Sequence, residues 1–81
     1  MHLQIHTGKR KMYEYHVLNK KQQTLYTCKT DKLLSKKEEK ELSKIVDVKH
    51  IVVIEIVVKV QQSDNQVHCY FYPKVIKLIN I

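Results

Sequence analysis

The sequence predicts an α+β protein that is mainly β, with antiparallel strands and one helix. Apolar and polar residues alternate over most of the 81 residues, which is the period of half-buried strands. Residues 35–46 instead have helical spacing. The polar segments between the strands are short, which favours antiparallel neighbours over long crossovers. A chain of this length is expected to form one domain, residues 1–81.

Three strands are predicted before the helix, over residues 2–7, 12–18 and 24–29. In the second strand, Tyr13, Tyr15 and Val17 share one face, and aromatic and β-branched residues favour strands. Two polar turns should connect these strands, the basic segment 8–11 and the segment 19–23.

One amphipathic helix is predicted from residue 35 onward. Ser35 and Glu38 have the spacing of a capping box, in which each side chain bonds the other residue's backbone amide. About three helical turns would place Leu42, Ile45 and Val46 on one apolar stripe. Residues 33–48 carry four basic and four acidic side chains, so the outer face of this helix is expected to be an ordinary solvated surface.

The C-terminal half predicts further strands over residues 49–61, 67–72 and 74–81. One face of the first is continuously apolar, and Ile51 and Val53 make the start of the other face apolar too, as in a strand covered on both sides. The residues of the continuous face are Val52, Ile54, Ile56, Val58 and Val60. In the next strand, Val67, Cys69 and Phe71 are predicted to point inward, and His68, Tyr70 and Tyr72 outward. Pro73 predicts a bend or an edge strand, since it has no amide to donate.

The predicted order β-β-β-α-β-β leaves two architectures open. It is the element order of a small oligonucleotide-binding (OB-like) barrel, and it also suits an open sheet with the helix packed across it. A 13-residue strand spans ~43 Å, whereas a compact domain of this length is only ~25–30 Å across. The last hairpin must therefore bend, as in a barrel, or project and meet a partner, such as a second copy in a homodimer.

The charge distribution indicates a polyanionic partner. The net charge is +7, and residues 1–32 account for +5 of it, with seven basic and two acidic side chains. Lysines that neutralise phosphates, interleaved with tyrosines that stack on bases, are typical of proteins that bind single-stranded nucleic acid. The candidate residues for such contacts are Lys9, Arg10, Lys11, Lys20, Lys21, Tyr26, Lys29, Tyr70 and Tyr72.

The near absence of arginine predicts how such binding would behave. Only Arg10 among the fifteen basic residues is an arginine, the residue that reads guanine bidentately. Lysine neutralises phosphate without reading sequence. We therefore expect sequence-tolerant binding that favours single strands over duplex and weakens steeply with salt.

A second function class is a protein-binding adaptor or inhibitor that acts through the C-terminal hairpin. Residues 49–81 hold more apolar surface than one helix can cover, and a partner strand could add to the edge of the hairpin. The bias toward lysine and isoleucine, without tryptophan, suits a phage or mobile element.

No motif predicts an enzyme, a metal site or a cofactor. His2 and His6 stand ~13 Å apart along a strand, too far to share a metal ion. Cys28 and Cys69 lie in predicted strands, where cysteine is usually a small buried hydrophobe, and one glycine cannot build a phosphate loop. The longest apolar run, residues 51–60, is interrupted by Glu55 and Lys59 and is about half as long as a membrane span; no signal peptide is apparent. We expect a cytoplasmic protein with reduced thiols and no membrane partner.

Overall fold

The computed structural model describes residues 6–63 and 65–81, which form an open antiparallel sheet with one helix. The elements are β1 (His6–Leu18), β2 (Thr24–Thr30), α1 (Lys36–Ser43), β3 (His50–Ser63) and β4 (Gln66–Asn80). The strand order is β2-β1-β3-β4, and every neighbouring pair is antiparallel. The open-sheet alternative is confirmed. The barrel alternative is wrong, because β2 and β4 occupy opposite edges of the sheet.

The predicted turn over residues 8–11 is wrong, because β1 runs straight through it. Gly8, Lys9, Arg10 and Lys11 pair in unbroken register with residues 60 to 57 of β3. A 14-residue partner strand satisfies the backbone of this segment in a ladder, and that outweighs its local preference for a turn. The described residues therefore hold four strands in the order β-β-α-β-β, and residues 2–5 of the first predicted strand lie outside them.

The turn predicted over residues 19–23 is present and is built by Asn19. The Asn19 side-chain oxygen accepts hydrogen bonds from the amides of Lys21 (2.9 Å) and Gln23 (2.8 Å). Gln22 takes a positive φ of 62°, a conformation that costs a non-glycine residue energy, and the bonds to Asn19 support it. At the β3–β4 hairpin, Ser63 pairs with Gln66, and Asp64 lies outside the described residues.

The core is small and lies between the helix segment and one end of the sheet. Tyr15 and Val17 of β1 and Ile51 and Val53 of β3 are fully buried there. The phenol oxygen of Tyr15 accepts a hydrogen bond from the Leu34 amide at 2.9 Å, so its polar end is satisfied and it fixes the approach to α1. The partly buried residues packed against this cluster are Tyr13, Cys28, Leu34, Leu42, Ile45, Val48 and Ile79.

The helix begins as predicted and ends earlier. The capping box between Ser35 and Glu38 is formed in both directions. After Ser43, the amides of Lys44 and Ile45 donate hydrogen bonds to carbonyls three residues back, as in a 3₁₀-helix. The chain is therefore wound more tightly there than in an α-helix. Val46 is therefore rotated off the apolar stripe and is 80% exposed, so its predicted place on that stripe is wrong.

The two faces of the sheet differ. We call the face that α1 covers the helix face and the opposite one the open face. Val67, Cys69 and Phe71 share the open face, as predicted, but they are not inward: Phe71 is 65% exposed and Val67 59%. The reason is that the single helix packs on the other face.

The β3–β4 hairpin projects and does not bend. The described residues extend over 59 × 25 × 16 Å with a radius of gyration of 17.0 Å, against ~12 Å for a compact domain of this length. The two last predicted strands are one, since β4 continues through Pro73. The predicted edge position of this proline is confirmed, and a bulge places Ile76 out of register.

Candidate nucleic-acid interface

Basic and aromatic side chains meet on the helix face, at the end of the sheet away from α1. Cross-strand partners share a face, so two rows can be followed across β1, β3 and β4. Lys9 pairs with Lys59, which pairs with Tyr70; Lys11 pairs with Val57, which pairs with Tyr72. We define the basic-aromatic patch as Lys9, Lys11, Lys59, His68, Tyr70 and Tyr72.

Each of these side chains is exposed. Tyr70 and Tyr72 are 45% and 50% exposed, and the three lysines and His68 are also in the exposed class. The helix segment packs at the other end of this face, around Tyr15 and Val53. The patch is therefore accessible to a large ligand.

Lys9 and Lys59 are directly opposite each other on neighbouring strands. Like charges in this position destabilise a sheet, typically by a few tenths of a kcal/mol up to ~1 kcal/mol relative to a neutral pair. The nearest acidic residue in the register is Glu55, which pairs with Lys74 at the border of the patch. An anion bound between Lys9 and Lys59 would relieve their repulsion.

Neighbouring side chains in the patch contact the aromatic rings and restrict their orientation. The ammonium group of Lys59 lies 5.3 Å from the centroid of the Tyr72 ring, within the range of a cation–π contact. The His68 and Tyr70 rings are stacked, with centroids 6.4 Å apart and planes 22° apart. Both contacts restrict side-chain freedom, so less conformational entropy is lost when a ligand binds.

Only part of the predicted set is brought together. Lys9, Lys11, Tyr70 and Tyr72 lie in the patch. The others lie elsewhere: Lys20 and Lys21 in the β1–β2 turn, Tyr26 near the buried end of the helix face on β2, and Arg10 and Lys29 on the open face. The β1–β2 turn is ~30 Å from Lys9 along β1. Lys29 also has a carboxylate neighbour, with its ammonium group 3.8 Å from Glu14.

Sequence reasoning missed Lys59 and His68 as members of the site. Lys59 belongs to the face of β3 that also carries Glu55 and Val57, and His68 precedes Tyr70 by two residues. The alternation already placed His68 on the face of Tyr70 and Tyr72, but His68 was not included among the candidate residues. The pairing of Lys59 with Lys9, fifty positions away in the chain, depends on the register of β1 against β3.

The surroundings of Cys28 do not activate its thiol. Burial raises the pKa of the Cys28 thiol, and the charge of Glu38 raises it further. Less thiolate then forms at neutral pH, the opposite of what an activated nucleophile needs. No cluster of three or more histidine, cysteine, aspartate or glutamate side chains that could hold a metal ion is present in the described ranges.

No protein-family model matches this chain, and neither a curated protein nor a solved structure is significantly similar to it. Within residues 6–63 and 65–81, no helix has the length and apolar character needed to cross a membrane.

Proposed function

We propose that this protein binds single-stranded nucleic acid through the basic-aromatic patch, without catalysis and with little sequence preference. The observation that carries the proposal is the row Lys9–Lys59–Tyr70, which places two lysines and a tyrosine on three adjacent strands of one exposed face. Stacking platforms beside lysines that follow a phosphate backbone are the features that sequence-tolerant single-strand binders combine.

The arrangement suggests a role for each residue type. Tyr70 and Tyr72 stand ~7 Å apart along β4, so each can stack on a different unpaired base. Lys9, Lys11 and Lys59 lie on the neighbouring strands and would meet the phosphates. Arg10, the single arginine, is on the open face and does not reach the patch from there. Bidentate reading of guanine therefore has no part in the proposal.

The proposed setting is the cytoplasm. Cys28 is on the helix face of β2 and Cys69 on the open face of β4, at opposite edges of the sheet, and both thiols are free. A fold that keeps its two thiols apart suits a reducing compartment. A phage or mobile element remains the proposed origin, on composition alone.

The test is fluorescence anisotropy of labelled oligonucleotides of about 15 nucleotides, a length that covers typical site sizes of ~4–16 nucleotides. Single-stranded DNA, single-stranded RNA and duplex DNA are each titrated between about 50 and 200 mM salt. We expect a single-stranded form to bind tighter than duplex, with affinity falling steeply as salt rises. Absence of binding at the lowest salt would overturn the proposal.

A charge-matched pair of double variants locates the site. Lys9→Gln with Lys59→Gln should reduce the salt slope by ~1.4 and weaken binding about 25-fold at 0.1 M salt, since each lysine that contacts a phosphate of a single strand contributes ~0.7 to the slope. Lys20→Gln with Lys21→Gln removes the same charge at the other end of β1 and should have little effect. Equal losses in both variants would mean that net charge alone drives binding.

A second candidate is the adaptor or inhibitor that adds a partner's strand to β4. The observation in its favour is that β4 is a 15-residue edge strand. If nucleic acid does not bind, hydrogen exchange with a co-purified protein should show protection of β4 amides and not of β2 amides. Protection of β2 alone would exclude this mode.

A further inference from the structure

The open face carries a long uncharged apolar stripe. On β3 it consists of Val52, Ile54, Ile56, Val58 and Val60, and on β4 of Val67, Cys69, Phe71, Pro73, Val75 and Leu78. Phe71, Val75 and Leu78 are 65%, 59% and 56% exposed. No described element packs over these residues, because α1 lies on the helix face.

A strand that is apolar on both faces is characteristic of sheets covered on both sides. In β3, Ile51 and Val53 are covered by the helix segment. Of the even-numbered residues from 52 to 60, Val58 is buried and the others are half-buried within the sheet, and no described element packs over them. Stable domains bury an apolar sheet face against a second layer. Within residues 6–63 and 65–81, the stripe has no such second layer.

We propose that two copies of this chain pack together through this apolar stripe, sheet on sheet, as a homodimer. This inference does not depend on the proposed nucleic-acid binding, because it uses the opposite face.

The area of the stripe is sufficient for such a pair. Residues 67–78 of β4 span ~40 Å, and the two strands with their side chains are ~12 Å wide. Each copy thus offers roughly 500 Å², and the pair roughly 1,000 Å², which is the lower bound for a specific interface. Two such stripes can pack face to face at the ~10 Å spacing of paired sheets.

The charge pattern favours a second copy over a charged partner. The stripe has no charged residue, whereas Lys59, Lys74 and Lys77 of the same two strands lie on the helix face. Stacking two open faces turns these three lysines outward on both copies. Arg10 and Lys29 lie on the open face beside the stripe, together with Glu14. An acidic protein or a nucleic acid would find no counter-charge within the stripe.

The main experiment is sedimentation equilibrium of the full chain and of two variants at neighbouring positions of β4. The wild type should have twice the chain mass of 9.7 kDa. Phe71→Glu, on the stripe, should reduce the dimer fraction at least tenfold. Tyr70→Glu places the same charge at an exposed position on the opposite face and should remain a dimer. Far-UV circular dichroism checks that both variants are folded.

Each alternative result overturns the proposal. A monomeric wild type means that the stripe is not a self-interface, and an unidentified protein partner then becomes the candidate occupant. A dimer that survives Phe71→Glu indicates pairing elsewhere, for instance edge to edge through β4. Dissociation by both variants would mean that the effect is not specific to this face.

Cys69 provides a second measurement that needs no variant. It is exposed in the single chain and lies on the stripe, so a dimer should cover it. Alkylation of Cys69, followed by peptide mass spectrometry, should be at least tenfold slower at high protein concentration than after dilution. A rate that does not change with concentration would overturn the homodimer even if Phe71→Glu failed to fold.

Discussion

At the scale of residues, the tyrosines of the chain divide by their surroundings. Tyr15 is fully buried with its hydroxyl bonded to a backbone amide, and Tyr13 packs against the same core. Tyr70 and Tyr72 are about half exposed and are flanked by His68 and Lys59. The first pair stabilises the fold, whereas the second pair is available for stacking on a ligand.

We expect Tyr70→Ala and Tyr72→Ala each to weaken binding of single-stranded DNA by roughly 5- to 100-fold, because a base stacked on an aromatic ring contributes ~1–3 kcal/mol. Anisotropy titrations measure the loss. Tyr26→Ala removes a ring of similar exposure (48%) outside the patch and should leave the affinity unchanged. Equal affinity of all three variants would exclude stacking on β4.

At the scale of elements, the helix contributes to stability, and the projecting hairpin carries the proposed ligand surface. α1 is held by its capping box, by Leu42 in the core and by an ion pair in which the Lys77 ammonium lies 3.0 Å from Glu39. All three contacts lie at one end of the sheet, and the proposed ligand surface lies at the other. Changes in the helix should therefore affect stability more than binding.

Ser35→Ala should lower the free energy of unfolding by about 1 kcal/mol, because the Glu38 amide loses its capping acceptor. Urea unfolding measures the change. Ser43→Ala is the control at the other end of α1, where the hydroxyl only bonds the Glu39 carbonyl within the helix, so stability should change little. The prediction fails if the two variants are equally stable. Affinity for single-stranded DNA should be the same in both.

At the scale of the whole molecule, the decisive property is elongation. A sheet with one helix at one end leaves both faces of the distal hairpin accessible, one basic and aromatic and the other apolar. The longest dimension, 59 Å, is more than twice the next, 25 Å. A barrel would have turned one of these two faces inward.

Small-angle X-ray scattering should give a radius of gyration of at least 17 Å, because the hairpin projects. A value near the ~12 Å of a compact domain would contradict the projecting hairpin. Stacking of two open faces adds thickness more than length, so the maximum dimension should stay near that of one chain while the scattering mass doubles.

The sequence alone determined which residues share a face, where the helix begins, and that lysine rather than arginine supplies the charge. These properties depend on alternation, on the spacing of Ser35 and Glu38, and on composition, all of which are local. The grouping of Tyr13, Tyr15 and Val17 and the edge position of Pro73 followed from the same local rules.

Only the tertiary structure decided that β1 runs through residues 8–11, that the helix covers Ile51 and Val53 rather than the longer apolar face, and that Lys59 joins Lys9. Each depends on pairing or packing between segments distant in the chain. A local turn preference stabilises the backbone less than a continuous ladder of backbone hydrogen bonds does. Which of two apolar faces is covered depends on where one short helix can reach, and the order of residues along β3 does not contain that information.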